Sequence, residues 1–285
     1  MEATVVDRAV AAAISLASEA GVSAEHPEIV QNSNKLAVRI LPCDLLARVA
    51  VVGQHVGTLE IAVAEGLTAR GAPVARLDAR LERRVHERDG FAVTFWTYYE
   101  DVSPPGASPA AYADALYRLH VGMRDLDVMA PHFTDRIAEA ERLVLDRQAS
   151  PSLADSDRDL LAHTLRDAHR TIALRSGADQ LLHGEPHQGN VLNARNGPVF
   201  IDFETCCGGP VEFDVAHVPD EVAMRYPDLD RVLLIECRRL VLAMVAAWRW
   251  DTHDEFPNGR RHGEAIVALL RAGPPWPSLG ALSAP

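Results

Sequence analysis

Two short stretches of this 285-residue chain concentrate residue types that handle metal ions and phosphate. The first runs Leu181-Leu182-His183-Gly184-Glu185-Pro186-His187-Gln188-Gly189-Asn190-Val191-Leu192, and the second Val199-Phe200-Ile201-Asp202-Phe203-Glu204. Apolar residues on both sides of Arg195-Asn196-Gly197 predict a hairpin with Val191-Leu192 and Val199 to Ile201 as its strands. Such a hairpin brings Glu185, Asn190 and Asp202 to one end. A carboxylate, an amide oxygen and a second carboxylate are hard oxygen ligands, suited to Mg²⁺ with phosphate oxygens completing the shell. His183 and His187 stand four apart around an acid, a spacing that suggests zinc. Pro186 breaks the helix that would align them and no third ligand is evident, so both are read as hydrogen-bonded loop residues.

The elements that must position these groups follow from pattern and punctuation. Residues 3–20 are Ala-rich and free of Pro and Gly, a helix stopped by Gly21. The polar patch Gln31 to Asn34 precedes two β-rich runs, Leu36 to Leu41 and Leu45 to Val52, with a turn at Pro42-Cys43-Asp44. Thr58 is placed to cap a helix reaching Arg70, which Gly71 ends. Pro73 to Leu77 reads as a strand, 80–89 as a solvated turn, and Phe91 to Tyr99 as a strand by propensity. Ser103-Pro104-Pro105-Gly106-Ala107-Ser108-Pro109 is the strongest linker signal. Helical patterns follow at 110–123, 132–148, 155–176, 214–224 and 228–250, and the tail from Ala272 reads as extended.

Composition bounds the function. Lys and Arg total 28 against 40 acidic residues, a net charge of −12, which argues against a nucleic-acid or anionic-membrane binder. Of the 28 basic residues 27 are Arg; the single lysine, Lys35, is expected on the surface. Four cysteines without CxxC spacing, two of them adjacent at Cys206 and Cys207, fit reduced packing thiols in a cytoplasmic protein. The longest apolar run, Leu240 to Trp248, is too short to span a bilayer.

His-Gly-Glu-x-x-x-x-Asn at 183–190, followed by Ile-Asp-Phe-Glu at 201–204, resembles the catalytic segment of the aminoglycoside phosphotransferase and choline kinase superfamily. Gly208-Gly209-Pro210 and Phe213-Asp214-Val215-Ala216 match the stretch that follows it, Leu45 to Val49 resembles the nucleotide-contacting strand, and Leu59-Glu60 to Pro73 the next helix. The resemblance, over roughly 30 to 250, implies an α+β, two-lobed protein-kinase-like fold: a small antiparallel β-sheet N-lobe over 1–100 that binds nucleotide, and a larger, mainly helical C-lobe over 101–285. By position it implies Glu185 as catalytic base, Asn190 and Asp202 as Mg²⁺ ligands, and Glu204 as a candidate ligand of a second metal. Arg48, Glu60, Ser33, Phe95, Trp96 and Tyr98 fall at nucleotide-binding places, with Arg48 paired to Glu60. His183, His187 and Asp214 fall at loop-bracing places.

Two residues depart from the family pattern. Glu185 stands where the family has Asp, and Arg48 where it has Lys; there is also no Gly-rich loop, so Gln31 to Asn34 would have to cover the phosphates. Tyr226, Trp248, Trp250 and Asp251 form an aromatic–acidic group in the region where the resemblance places the acceptor, suited to a cationic alcohol. At helical spacing the same aromatics are also what a core would use. The resemblance implies an ATP- or GTP- and Mg²⁺-dependent O-phosphotransferase acting on a small-molecule hydroxyl, such as that of an aminoglycoside or other antibiotic, a choline-like amine, a sugar or an amino-alcohol. The departures support an alternative, a kinase-fold binding protein without catalysis.

Overall fold

A computed structural model describes residues 1–33, 35–53, 57–102 and 106–282. It divides into two compact units: 1–107 with 125–129 and 191–204, and 108–124 with 130–190 and 205–285.

In the first unit, α1 (Ala3–Glu19) lies against a five-stranded antiparallel sheet. Its strands are β1 (Ala24–Asn32), β2 (Leu36–Pro42), β3 (Leu45–Val51), β4 (His86–Arg88) and β5 (Phe91–Thr97), in the order β1-β2-β3-β5-β4. Side chains alternate faces along a strand, so Leu36, Val38 and Ile40 of β2 and Leu45, Ala47 and Val49 of β3 all point to α1. They meet Val6, Ala9 and Ala13 there, each large apolar side chain contributing roughly 1.5–3 kcal/mol. The strand β1 has no such alternation: nearly all of its residues are exposed, which is why the sequence pattern does not announce it.

The helix α2 (Thr58–Ala69) starts from Gly57, which makes no side-chain cap, so Thr58 is its first residue and not the expected cap. Residues 73–77 form only isolated bridges, Val74 to Phe200 and Leu77 to Trp96, in place of a strand. The expected solvated turn at 80–89 instead contains β4 and buries Leu81 and His86. Of the expected linker, 103–105 lie outside the described residues.

The second unit opens with three helices, α3 (Pro109–Arg124), α4 (Phe133–Leu145) and α5 (Asp155–Arg175). Its strands are β6 (Gln180–Leu182) and β9 (Cys207–Gly209); between them in the chain come β7 (Val191–Ala194) and β8 (Gly197–Phe200). β6 pairs with β9, and β7 with β8 as the expected hairpin. That hairpin groups with the first unit, tied there by Phe200 donating to the Pro73 carbonyl at 2.8 Å and accepting from Ala75 at 2.9 Å. Pro219 splits the expected 214–224 helix into α6 (Val211–Val215) and α7 (Asp220–Ala223). The long α8 (Arg231–Trp248) is capped by Asp230, whose carboxylate accepts from Val232 and Leu233 at 3.0 and 3.2 Å. It packs on α4 and α5, and Leu233, Cys237, Leu240 and Met244 are among its buried residues. A further helix, α9 (Gly259–Ala272), precedes the tail. Among the described residues no helix is long and apolar enough to cross a membrane.

Candidate active site

In the first unit the strand register assembles a charged cluster. Arg48 stands opposite Ala37 of β2 and Thr94 of β5, on the sheet face turned away from α1. Its Nη1 donates to Glu60; its Nη2 donates to Asp202 Oδ1 and Glu204 Oε1, both at 2.9 Å. Glu60 lies in the first turn of α2, where the helix dipole favours a carboxylate, and is 2% exposed. It also accepts the Phe203 N–H at 3.3 Å. Burial pushes the Glu60 carboxyl up, against the pull of Arg48. Asp202 has φ +66°, a left-handed conformation that a non-glycine residue rarely adopts and that is often retained at functional sites.

Burial opposes ionisation of Asp202, but Arg48 beside it holds the carboxyl below its ordinary value. Burial and the Asp202 charge push Glu204 up to about 7. Two carboxylates that converge on one cationic nitrogen and repel each other present the hard-oxygen set a divalent cation relieves. Among the described residues no group of three or more His, Cys, Asp or Glu could hold a metal. Mg²⁺ fits nonetheless, because it is commonly held by one or two carboxylates with phosphate oxygens and water supplying the rest.

Lys35 is not the surface residue expected. Its Nζ pairs with Glu204, and its side chain is 17% exposed. Ser33 is exposed; its N–H donates to the Lys35 carbonyl at 3.0 Å, and a cavity of about 100 Å³ opens beside both. Phe95, opposite Ala47, turns its ring into the core beneath α1, so the side chain does not face the sheet surface that carries Arg48. Trp96 is on that surface but buried, its Nε1 donating to Thr94 Oγ1 at 2.9 Å. Tyr98 is half-buried with the Arg39 guanidinium 4.2 Å over its ring.

In the second unit a buried carboxylate organises the loop after β6. Asp214 accepts from the backbone N–H groups of His183 and Gly184, each at 2.8 Å, and from His120 Nε2 at 2.9 Å. His120 Nδ1 faces the Tyr226 hydroxyl at 2.7 Å. The His183 carbonyl accepts from Thr205 Oγ1 at 3.2 Å, and His187 Nδ1 accepts from the Gly189 N–H at 3.1 Å. Asn190 donates its Nδ2 to the Glu185 carbonyl at 2.9 Å, which turns its Oδ1 the other way.

Gly184, at φ +89°, admits no other residue: a Cβ there would lie 1.9 Å from the Thr205 carbonyl oxygen. Gly184→Ala is therefore expected to displace the loop carrying Glu185, costing roughly 2–4 kcal/mol in a thermal or denaturant melt. A melt indistinguishable from the parent's would contradict this geometry.

Glu185 itself is held by a residue the sequence reading did not single out. Arg136 of α4 donates Nη2 to Glu185 Oε1 and Nη1 to the Gly184 carbonyl at 3.2 Å, and lies 5.1 Å over the Trp248 ring. Burial pushes the Glu185 carboxyl up, but Arg136 and then His217 outweigh it and leave it below the ordinary glutamate value. His217 is itself fully enclosed, and burial pushes it down to about 4. Of the acceptor candidates, Tyr226 and Trp250 are buried and pack like core residues, while Trp248 and Asp251 are half-buried. Trp250 and Asp251 line a cavity of about 340 Å³ with Arg249, Asp254, Phe256 and Arg260. Cys206 and Cys207 are buried packing residues.

Solved structures share this fold. An amicoumacin kinase in complex with AMP-PNP and Ca²⁺ is 11% identical, with a TM-score of 0.67 over 99% of this chain and 100% of that one. A choline/ethanolamine kinase family protein from Mesorhizobium loti is 17% identical, with a TM-score of 0.63 over 94% of each chain. The GDP and kanamycin complex of APH(2″)-IIia is 14% identical, with a TM-score of 0.67 over 90% of this chain and 97% of that one. At these identities the likeness establishes the fold, which is the two-lobed, protein-kinase-like α+β fold. No curated protein matches the chain. The model of the phosphotransferase enzyme family (APH) matches residues 55–265, well over half of the sequence and inclusive of Glu60, the 183–204 motif and Asp214, and the chain belongs to that family of phosphoryl-transferring enzymes.

Proposed function

We propose that the protein is an ATP- or GTP- and Mg²⁺-dependent O-phosphotransferase acting on the hydroxyl of a small molecule. The observation that carries this reading is the convergence of Asp202 and Glu204 on Arg48, itself anchored by the buried Glu60. In this reading Arg48 and Glu60 order the nucleotide side of the site, and Asp202 with Glu204 would hold the metal. Bound Mg²⁺ would supply charge neutralisation for the phosphates. Glu185 accepts the proton of the acceptor hydroxyl as its oxygen bonds to the γ-phosphorus and the bond to the β-phosphate oxygen breaks. A loose transition state asks chiefly for positioning, so a carboxylate of lowered basicity suffices if it is well placed. Arg136 provides that placement for the longer Glu side chain.

For the acceptor, the net charge of −12 supports an amine-bearing alcohol; the 340 Å³ cavity is charge-balanced, with Asp251 and Asp254 beside Arg249 and Arg260, whose guanidiniums lie over Phe256 and Trp250. Arg249 faces that cavity and lies within Coulombic reach of Glu185. Aminoglycosides, choline-like amines and amino-alcohols are the classes the net charge favours, in a cytoplasmic setting.

One observation favours a second reading. The Glu185 carboxylate is already engaged by Arg136, as in a binding protein that has ceased to catalyse. The two readings part in an acceptor screen with each nucleoside triphosphate and Mg²⁺, followed by mass spectrometry. The enzyme reading expects one acceptor class to gain the mass of a phosphoryl group. Thermal stabilisation by nucleotide with no phosphorylated product across the panel would overturn it in favour of the binder.

A further inference from the structure

Among 28 basic residues there is one ammonium group, and it lies within the charged cluster of the first unit. Its place is set by backbone geometry. Lys35 directly precedes Leu36, whose side chain enters the core, so Lys35 shares the face of Ala37; Ala37 pairs with Arg48 across the β2–β3 ladder. The Ser33 N–H bonded to the Lys35 carbonyl fixes the backbone where β2 begins.

The two cations of the cluster differ in what they can do next. Arg48 is a planar fork engaged by three carboxylates, Nη1 by Glu60 and Nη2 by Asp202 and Glu204. Turning it toward a phosphate would uncover Glu60, a nearly fully buried carboxylate, at a high cost in desolvated charge. Lys35 carries a compact charge with three donors on a flexible stem, and its ammonium reaches Glu204, a carboxylate it shares with Arg48. It also lines both cavities of the cluster: the 100 Å³ one with Gln31, Ser33, Asp202 and Glu204, and a smaller one with Glu60 and Thr94.

We propose that Lys35, from the start of β2, is the residue that contacts the nucleotide's phosphates, while Arg48 is an anchor that positions the carboxylates and does not itself leave them. This rests on the phosphotransferase reading and names the phosphate-binding group within it. Phosphate recognition is thereby divided: the β3 position holds the electrostatic frame, and the neighbouring strand supplies the mobile cation.

The test measures equilibrium binding of a nucleoside, its diphosphate and its triphosphate, by calorimetry, to the full chain and to Lys35→Met and Lys35→Arg. The methionine keeps the stem and removes the charge. Losing a charge-assisted contact is expected to weaken triphosphate and diphosphate binding about 10- to 100-fold, with nucleoside affinity unchanged and the arginine variant recovering part of the loss. Equal triphosphate affinity in Lys35→Met and the parent overturns the inference and leaves the enzyme reading standing. Parallel loss for nucleoside and triphosphate overturns it too, because a distorted lobe would behave that way; a circular-dichroism melt of each variant accompanies the titration. A parent chain that binds no nucleotide overturns the reading and this inference together.

Discussion

Asp202→Ala is expected to lower nucleotide-dependent phosphorylation by about 10³-fold or more, while the protein remains folded. Metal-assisted charge stabilisation contributes several kcal/mol to such a transition state, and each 1.36 kcal/mol is a factor of ten in rate. The fold tolerates the change because Asp202 is half-buried and Arg48 keeps Glu60 and Glu204 as partners. At φ +66° alanine is less at ease than aspartate, so Asp202→Asn is the companion variant: it retains the tolerance for left-handed backbone and removes only the charge. Both variants are read by turnover against Mg²⁺ concentration with a melt alongside. Undiminished turnover in either would remove Asp202 from the metal site. The Glu204 carboxyl, no longer facing the Asp202 charge, is expected to fall from about 7 toward its ordinary range.

The second large effect is on stability. Asp214→Ala leaves the His183 and Gly184 N–H groups and His120 Nε2 without their common acceptor in a fully buried site. Removing one side of a buried charged network costs roughly 3–5 kcal/mol, and the loop that carries Glu185 is the first segment released. The tautomer follows from the partners: Nε2–H donates to the carboxylate, and Nδ1 accepts from the Tyr226 hydroxyl. Burial raises the Asp214 carboxyl, but the His120 hydrogen bond and the neighbouring imidazoles outweigh it, so it stays below 3.8. A lowered folded value means the stabilisation is fully present above the unfolded value near 3.8. It is lost only as pH falls through the folded value. Denaturant melts are therefore expected to show a parent-to-variant gap that is constant from pH 5 to 8 and narrows in acid. A gap that closes instead on the alkaline side would contradict this assignment.

How much of this was legible in the chain can be followed residue by residue. The hairpin of β7 and β8, the paired β2 and β3, and helices α3 to α5 follow from periodicity, because their apolar positions must face a core at spacing two or three to four. Strand β1 escaped because its solvated face leaves no alternation to read. Helix α9 escaped behind Pro257 and Gly259, residues that usually punctuate loops. Within the candidate site, Glu185, Asn190, Asp202 and Glu204 were visible through spacing within 20 residues. Arg136 was not, since 49 residues separate it from Glu185 and its helix is decorated with charge throughout.

The sequence alone determined which groups are candidates for the chemistry, because ligand type and short-range spacing are properties of the covalent chain. The tertiary structure decided what each group faces. It turned Phe95 into the core, buried Tyr226 against His120, clamped Glu185 with Arg136, and moved the only lysine from an expected surface position onto Glu204. Those outcomes depend on strand register and on side chains separated by tens of residues, and a register one residue different would have placed Lys35 on the opposite face of the sheet.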